Sequence, residues 1–464
     1  MSSAPSARHA AEHARSRRGN PMMPASGDLV RVGSRRWFLQ MGAAGLAGLS
    51  LADMLHLQAQ AAPLSAHRDK KSVILFWLSG GPSHLDMWDP KPAAPREIRG
   101  PYDTISTRLP GVRFCEHLPL QARIADKLSI IRSVDCSASN HTPITMQAGN
   151  SLARRTDDGK DGGGYPSMGS VAAKYRGANA PEMPGFVGLA DSWAADVWGA
   201  GEMGRDFDPV KGLEVRDKLA MPAGLSLPRL QDRHALRTQL DSLARSLGSG
   251  GAMADLDRNQ QIAYDMVLSG KVREAFDISR ESDSMRDAYG RGSVGEKGLL
   301  ARRLVEAGVS YVLVSGAWGY FDHHGDEVKW GGIERGLTPL LPTIDRVLST
   351  LVLDLEERGL LDSTLILMMG EFGRSPVMTT TRGRGHWTNV MSMIVAGGGL
   401  PHGQVIGSTD AKGYGVKTGR VIPEDLAATV FRHLDIPLDA HWVNTQGRPI
   451  PIVQHGGRPI RALS

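Results

Sequence analysis

Five short clusters in this 464-residue chain hold the side chains that metal and ester chemistry needs. They are His84 with Asp86, Ser137 with His141, Asp322 with His324, Glu371 with Arg374, and His386. Carboxylate oxygens and imidazole nitrogens together suit a divalent ion such as zinc, manganese or calcium. The spacing Asp322-x-His324 can aim two ligands at one point from a tight loop. Arg374 and Arg384 could hold an anionic group through paired N–H donors. Each cluster also has an ordinary explanation. A lone histidine is usually a hydrogen-bonded surface or core residue, the Asp-His-His run can be a solvated turn, and Glu371 with Arg374 can be an ion pair at a strand end. Against this stands one shared property: every cluster follows a segment that reads as a strand.

Those segments have a common pattern. Thr364–Met369, TLILMM, is apolar throughout, too short for a helix, and opens on a β-branched residue, so it reads as a strand buried on both faces. Ser72–Leu78, SVILFWL, is a similar run closed by Ser79-Gly80-Gly81-Pro82. Leu128–Val134, Val309–Val314 and Met391–Val395 continue the series. Helices are expected at Leu118–Lys127, Leu299–Ala307, Leu340–Leu355 and Glu424–Leu434. In the third of these, Leu341, Ile344, Leu348, Leu351 and Leu355 form one stripe, with Thr338 as its cap, Pro339 in its first turn and Gly359 at its end. Alternating strands and helices predict an α/β fold: a three-layer α/β/α sandwich around a doubly wound, mainly parallel sheet. The carboxyl ends of parallel strands lie on one edge, which is where such sheets bind ligands. Residues 178–294 change character. Pro, Trp and Gly are frequent, then helical periodicity sets in at Leu230–Leu247 and Asn259–Leu268. This region reads as an insertion or cap over the sheet, and residues 437–464 as a surface wrap.

Composition narrows the class. With 41% hydrophobic and 22% charged residues, the chain is ordinary globular protein. Of the formal net charge of +5, +4 lies in residues 1–61, where seven arginines face Glu12, Asp28 and Asp53. The basic balance therefore belongs to the leader, and no nucleic-acid-binding spacing accompanies it. Residues 1–33 read as disordered. Ser34-Arg35-Arg36-Trp37-Phe38-Leu39 and the glycine-rich MGAAGLAGLSLA follow, ending near Ala59-Gln60-Ala61. That is the pattern of a twin-arginine signal peptide, which predicts export to the periplasm or beyond, with residues 62–464 as the folded domain. No later stretch approaches the ~18 consecutive apolar residues of a membrane span. The two cysteines, Cys115 and Cys136, allow one disulfide or two separate thiols.

GLLDSTLILMMGEFG resembles the alkaline phosphatase and sulfatase superfamily segment in which a helix ends in GLLD, a strand follows, and S-D-H-G closes it. PEDLAATVFRHLDIP resembles the carboxyl-terminal helix of sulfatases. More closely, the mature chain resembles the exported bacterial family called domain of unknown function 1501. That match is carried by SRRWFL, GGPSHLDMWDPKP, MPAGL, LLARRLVEAGV, GEFGR, GRGHW, PEDLAAT and QGRPI. The superfamily resemblance implies transfer of phosphate or sulfate groups, with a hydroxyl or formylglycine nucleophile and two metals clamping the oxygens. It implies that Asp322 and His324 are a metal-binding pair, that His386 is the later histidine, and that Glu371 stands where the aspartate of D-H-G stands. Ser137–His141 resembles the nucleophile loop of nucleotide pyrophosphatases, with Ser137 as nucleophile and Arg374 stabilising the anion. His84 or Asp86 would replace the aspartate missing after the first strand. Three positions depart from the pattern. Phe372 stands in place of the second-metal histidine, Gly385 in place of an aspartate, and Cys136 lacks the formylglycine context. Two expectations result. One is an exported metal-dependent hydrolase acting on an anionic small-molecule or polysaccharide ester. The other is a non-catalytic binding protein that keeps the fold.

Overall fold

A computed structural model of the chain describes residues 69–153, 162–219, 270–316, 320–327 and 329–463. The expected leader and signal peptide, and the expected helices Leu230–Leu247 and Asn259–Leu268, lie outside the described residues. The strands that concern the site are β1 (Ser72–Trp77), β2 (Thr104–Ser106), β3 (Arg113–Cys115), β4 (Leu128–Val134), β5 (Phe186–Leu189), β6 (Val210–Lys211), β7 (Tyr311–Ser315), β8 (Thr364–Met369), β9 (Gly373–Met378), β10 (Arg384–Trp387), β11 (Met391–Gly397) and β12 (Gln404–Ile406). Eight of them form one sheet in the order β12-β4-β11-β8-β1-β7-β5-β6. All its pairings are parallel except those of β11, which runs against both β4 and β8.

Helices cover both faces, which makes the three-layer α/β/α sandwich. Along β1 the residues alternate: Ile74 and Phe76 enter one core, Val73, Leu75 and Trp77 the other. β8 does the same, with Ile366 and Met368 against Leu365, Leu367 and Met369. An unbroken apolar run is what a strand covered on both sides requires. The first core takes the leucine stripe of the Thr338–Glu357 helix and residues of Ser293–Ala307; the second takes Met168–Tyr175 and Pro423–His433. Burying each such side chain contributes about 1.5–3 kcal/mol.

Two local expectations need correction. Thr338 is not a cap, because a π-helical turn, Ile333–Leu337, runs straight into the long helix and Thr338 Oγ1 donates to Ile333 O at 2.9 Å. The segment 178–294 does not begin as a cap either. Its β5 and β6 pair in parallel beyond β7, so this part is built into the sheet. Among the described residues, no helix is long and apolar enough to cross a membrane. Cys115 and Cys136 are buried free thiols, and burial pushes the Cys115 thiol up to about 12.

Candidate metal centre

Register brings the loops together. Trp77 of β1 is level with Ser315 of β7 and with Met369 of β8, so all three strands end at one height. Ser79-Gly80-Gly81, the loop carrying Phe321 and Asp322, and Gly370-Glu371 therefore start side by side. Gly80 has φ +110°, and a Cβ on it would lie 2.5 Å from the Asp322 nitrogen. Only glycine lets the Asp322 backbone approach this closely. β11 runs downward, so the chain between β8 and β11 must leave and return at the same edge. It does so as the β9–β10 hairpin, in which Arg374 and His386 are cross-strand partners.

Asp322, His324 and His386 meet above that edge. Asp322 Oδ1 is 2.9 Å from His324 Nε2 and 3.2 Å from His386 Nε2, and the two nitrogens are 2.9 Å apart. Ligand atoms on a tetrahedral zinc ion, with bonds near 2.0–2.1 Å, stand about 3.3 Å from one another. His324 Nε2 also lies 3.3 Å from Arg374 Nη1. No placement of protons satisfies all these contacts. A protonated His324 Nε2 opposes the Arg374 N–H, and an unprotonated one sets a lone pair against the Asp322 oxygen. A cation between the three atoms takes all three lone pairs and leaves only the Arg374 N–H without its histidine acceptor, so this donor set fits one divalent ion. His141 joins it, because one ligand atom each from His141, Asp322 and His386 lie within 4.8 Å of one another. His141 Nε2 is 3.5 Å from Asp322 Oδ2.

Glu371 does something other than what its position in the sequence implies. Its Oε1 accepts from His141 Nδ1 at 2.8 Å and from Gly80 N at 2.8 Å. It orients His141 and presents Nε2 toward Asp322, as carboxylates commonly do behind metal-binding histidines. Phe372 closes the other side, its ring centroid 4.9 Å from that of His386 and 5.4 Å from that of His141.

The two arginines are fully occupied. Arg374 has five N–H donors. Nε donates to Gly81 O, Nη1 to Arg384 O and His324 Nε2, and Nη2 to Gly80 O and to Asp322 Oδ1 at 2.5 Å. Arg384 is saturated likewise: Nε and Nη2 hold Asp86 at 2.6 and 3.0 Å, and the remaining donors take the carbonyls of Ser375, Pro376 and Ile98. Both are positioning residues: Arg384 has no donor left for an anion, and Arg374 has only the Nη1 N–H that an ion on His324 Nε2 would release. Asp86 is consequently committed to Arg384 and to Ser83 Oγ, away from the metal trio. His84 is buried with Nε2 2.9 Å from Gly413 O and does not join the ligands. Ser137 is exposed, and its backbone N–H donates to Asp135. Thus His141, Asp322, His324, Glu371, Arg374 and His386 come together, and His84, Asp86 and Ser137 stay outside.

Charge follows the geometry. Burial favours a neutral Asp322, but hydrogen bonds from His141, His386 and Arg374 outweigh it and hold the carboxyl well below its usual range. Burial likewise opposes the charged form of His141, yet Asp322 and Glu371 hold its pKa up to about 9. Burial and the Arg374 charge lower His324, and push His323 down to about 4. Sequence reading missed Asp196. It is fully buried, accepts from Ser315 Oγ at 2.9 Å, and burial raises its carboxyl to about 6. Nothing in its local sequence marks it, because its partners lie on distant strands.

A family model for proteins of unknown function, DUF1501, matches residues 70–464. The chain belongs to the DUF1501 family. No curated protein matches this DUF1501 chain. Among solved structures it is similar to Ps i-CgsB, crystallised with k-i-k-neocarrahexaose, at 11% identity and TM-score 0.39, covering 80% of this chain and 73% of that one. It is similar to the sulfatase PsFucS1 from Pseudoalteromonas sp. at 12% identity and TM-score 0.34, covering 84% and 71%. A phosphonate monoester hydrolase from Silicibacter pomeroyi follows at 11% and 0.35, covering 85% and 76%. At these values the likeness carries no information about reaction or substrate.

Proposed function

We propose that this DUF1501 protein is an exported metal-dependent hydrolase of phosphate or sulfate esters, built around one divalent ion. The observation that carries the reading is the contact no proton can satisfy, where His324 Nε2, His386 Nε2 and Asp322 Oδ1 converge. Those three residues and His141 would hold the ion, which when bound would supply Lewis-acid polarisation of the ester and a more acidic water. Arg374 fixes Asp322 in place. His141, oriented by Glu371, presents Nε2 to the same ion as a further ligand. Ser137 has no part in this scheme, so water is the attacking group: its oxygen bonds to phosphorus or sulfur, and the alcohol oxygen leaves with a proton.

The test compares the purified protein with His386→Ala, measuring bound metal together with turnover of p-nitrophenyl phosphate and p-nitrophenyl sulfate. His386 is 40% exposed at its side chain, so its removal spares the core. Asp322→Ala is a poorer choice, since it strands the buried Arg374 charge at a cost of about 3–5 kcal/mol. One equivalent of metal in the parent, with metal and turnover lost together in the variant, is the expected result. The saturated arginines and Phe372 favour a second reading, a binding protein without turnover. Stoichiometric metal with neither ester hydrolysed selects it.

A further inference from the structure

The donors at the metal centre are unequal in kind. His324, His386 and His141 each offer Nε2, and Asp322 offers its carboxylate. Several oxygens on the same edge that could serve a hard cation are already engaged. Arg374 takes the carbonyls of Gly80, Gly81 and Arg384. Arg384 takes both oxygens of Asp86. Each of these oxygens then has a positive charge against it, which repels a second cation. Glu371 Oε1 is held by His141 Nδ1 and Gly80 N, so that carboxylate stands across the His141 ring from Nε2. Phe372 adds only carbon to the wall.

That imbalance selects among ions. Calcium takes about six to eight oxygen ligands, and magnesium an octahedral shell of oxygens that is mostly water. Imidazole suits zinc, iron, copper and nickel, whereas carboxylate, carbonyl and water suit magnesium, calcium and manganese. Three nitrogens and one carboxylate oxygen complete a zinc tetrahedron, and zinc can accept a fifth donor. His141 decides the balance. It approaches from the side of Asp322 Oδ2, at 3.5 Å, while Arg374, His324 and His386 gather on Oδ1. Glu371 behind it fixes the proton on Nδ1 and leaves the Nε2 lone pair for the ion.

We propose that this centre selects a nitrogen-favouring transition ion of the zinc class against calcium and magnesium, and that His141 is the residue that sets the preference. Nitrogen supplies the ligand at three of the four residues while His141 is in place, and at two of the four once that position offers oxygen. The selection rests on the metal-centre reading, and it holds whether or not an ester is hydrolysed. It sets the protein apart from enzymes that work through an all-oxygen calcium site.

The full chain, stripped of metal with a chelator, is titrated with zinc, manganese, calcium and magnesium in competition with a chromophoric chelator. Zinc should bind at least about a hundredfold tighter than calcium or magnesium. The same titrations are run on His141→Gln, which puts an amide oxygen where the nitrogen stood. The His141 side chain is 24% exposed, so the exchange spares the core. A loss of shape alone weakens zinc and manganese together. Loss of a nitrogen donor weakens zinc more, so the ratio of zinc to manganese affinity should fall tenfold or more. The proposal is overturned if calcium or magnesium binds within a hundredfold of zinc, or if the ratio falls less than tenfold in His141→Gln. Binding of no ion overturns it together with the metal centre. A zinc-selective protein that hydrolyses neither p-nitrophenyl ester keeps the selection and ends the hydrolase reading; turnover on bound calcium does the reverse.

Discussion

Glu371 Oε1 stands 2.8 Å from His141 Nδ1 and the same distance from the Gly80 nitrogen. A residue expected to bind metal thus orients a histidine and ties two strand-end loops together. Glu371→Gln keeps the shape but can donate only through its amide nitrogen, so it weakens the preference for the Nδ1–H tautomer. Metal affinity should drop about 10–100-fold, the usual cost of losing such a partner. Competition against a chromophoric chelator measures it, and an unchanged affinity removes Glu371 from the site.

The raised pKa of His141, about 9, makes metal uptake pH-dependent. In the ion-free protein His141 is charged at neutral pH and must release its proton if Nε2 is to take metal. Apparent affinity for zinc should rise about tenfold per pH unit up to about pH 9. The linkage for the ion-free fold has the opposite sign. A histidine raised from 6.5 to about 9 contributes stability that is complete below pH 6.5 and lost as pH climbs through 9. The loss is roughly 3 kcal/mol. Urea titrations in chelator at pH 6 and pH 9.5 should show it, and His141→Gln should abolish the difference.

Asp86 and Arg384 form a two-pronged ion pair with each side chain 1% exposed. Removing one partner leaves the other charged and buried. Asp86→Ala should therefore destabilise the protein by about 3–5 kcal/mol, and Arg384→Met by a similar amount. The double variant should lose much less than the two effects added. Urea unfolding of all four proteins reads this directly, and additive losses would show that the pair is not coupled.

Export is tested apart from the structure. The pair Arg35-Arg36 precedes a glycine-rich apolar stretch. Replacing both with lysine should leave the precursor in the cytoplasm, as seen by cell fractionation; normal export of that variant rules out the twin-arginine route.

Much of the fold was legible in the sequence because strands buried on both faces must be apolar throughout. Thr364–Met369 and Leu128–Val134 have the expected bounds for that reason, and the stripe from Leu341 to Leu355 marks the covering helix. The carboxyl-edge location of the clusters was legible too, since parallel strands end together. What the sequence could not show is which donors are already taken. Arg374 and Arg384 look like anion binders in one dimension, and only the folded chain brings each of them enough acceptors to exhaust its five N–H groups. Asp86 was removed from the site in the same way, by a partner met only after folding. Residue types and periodicity are local properties, and they determined the architecture. The roles of polar groups depend on competition among neighbours brought from distant strands, and that competition exists only in the tertiary structure.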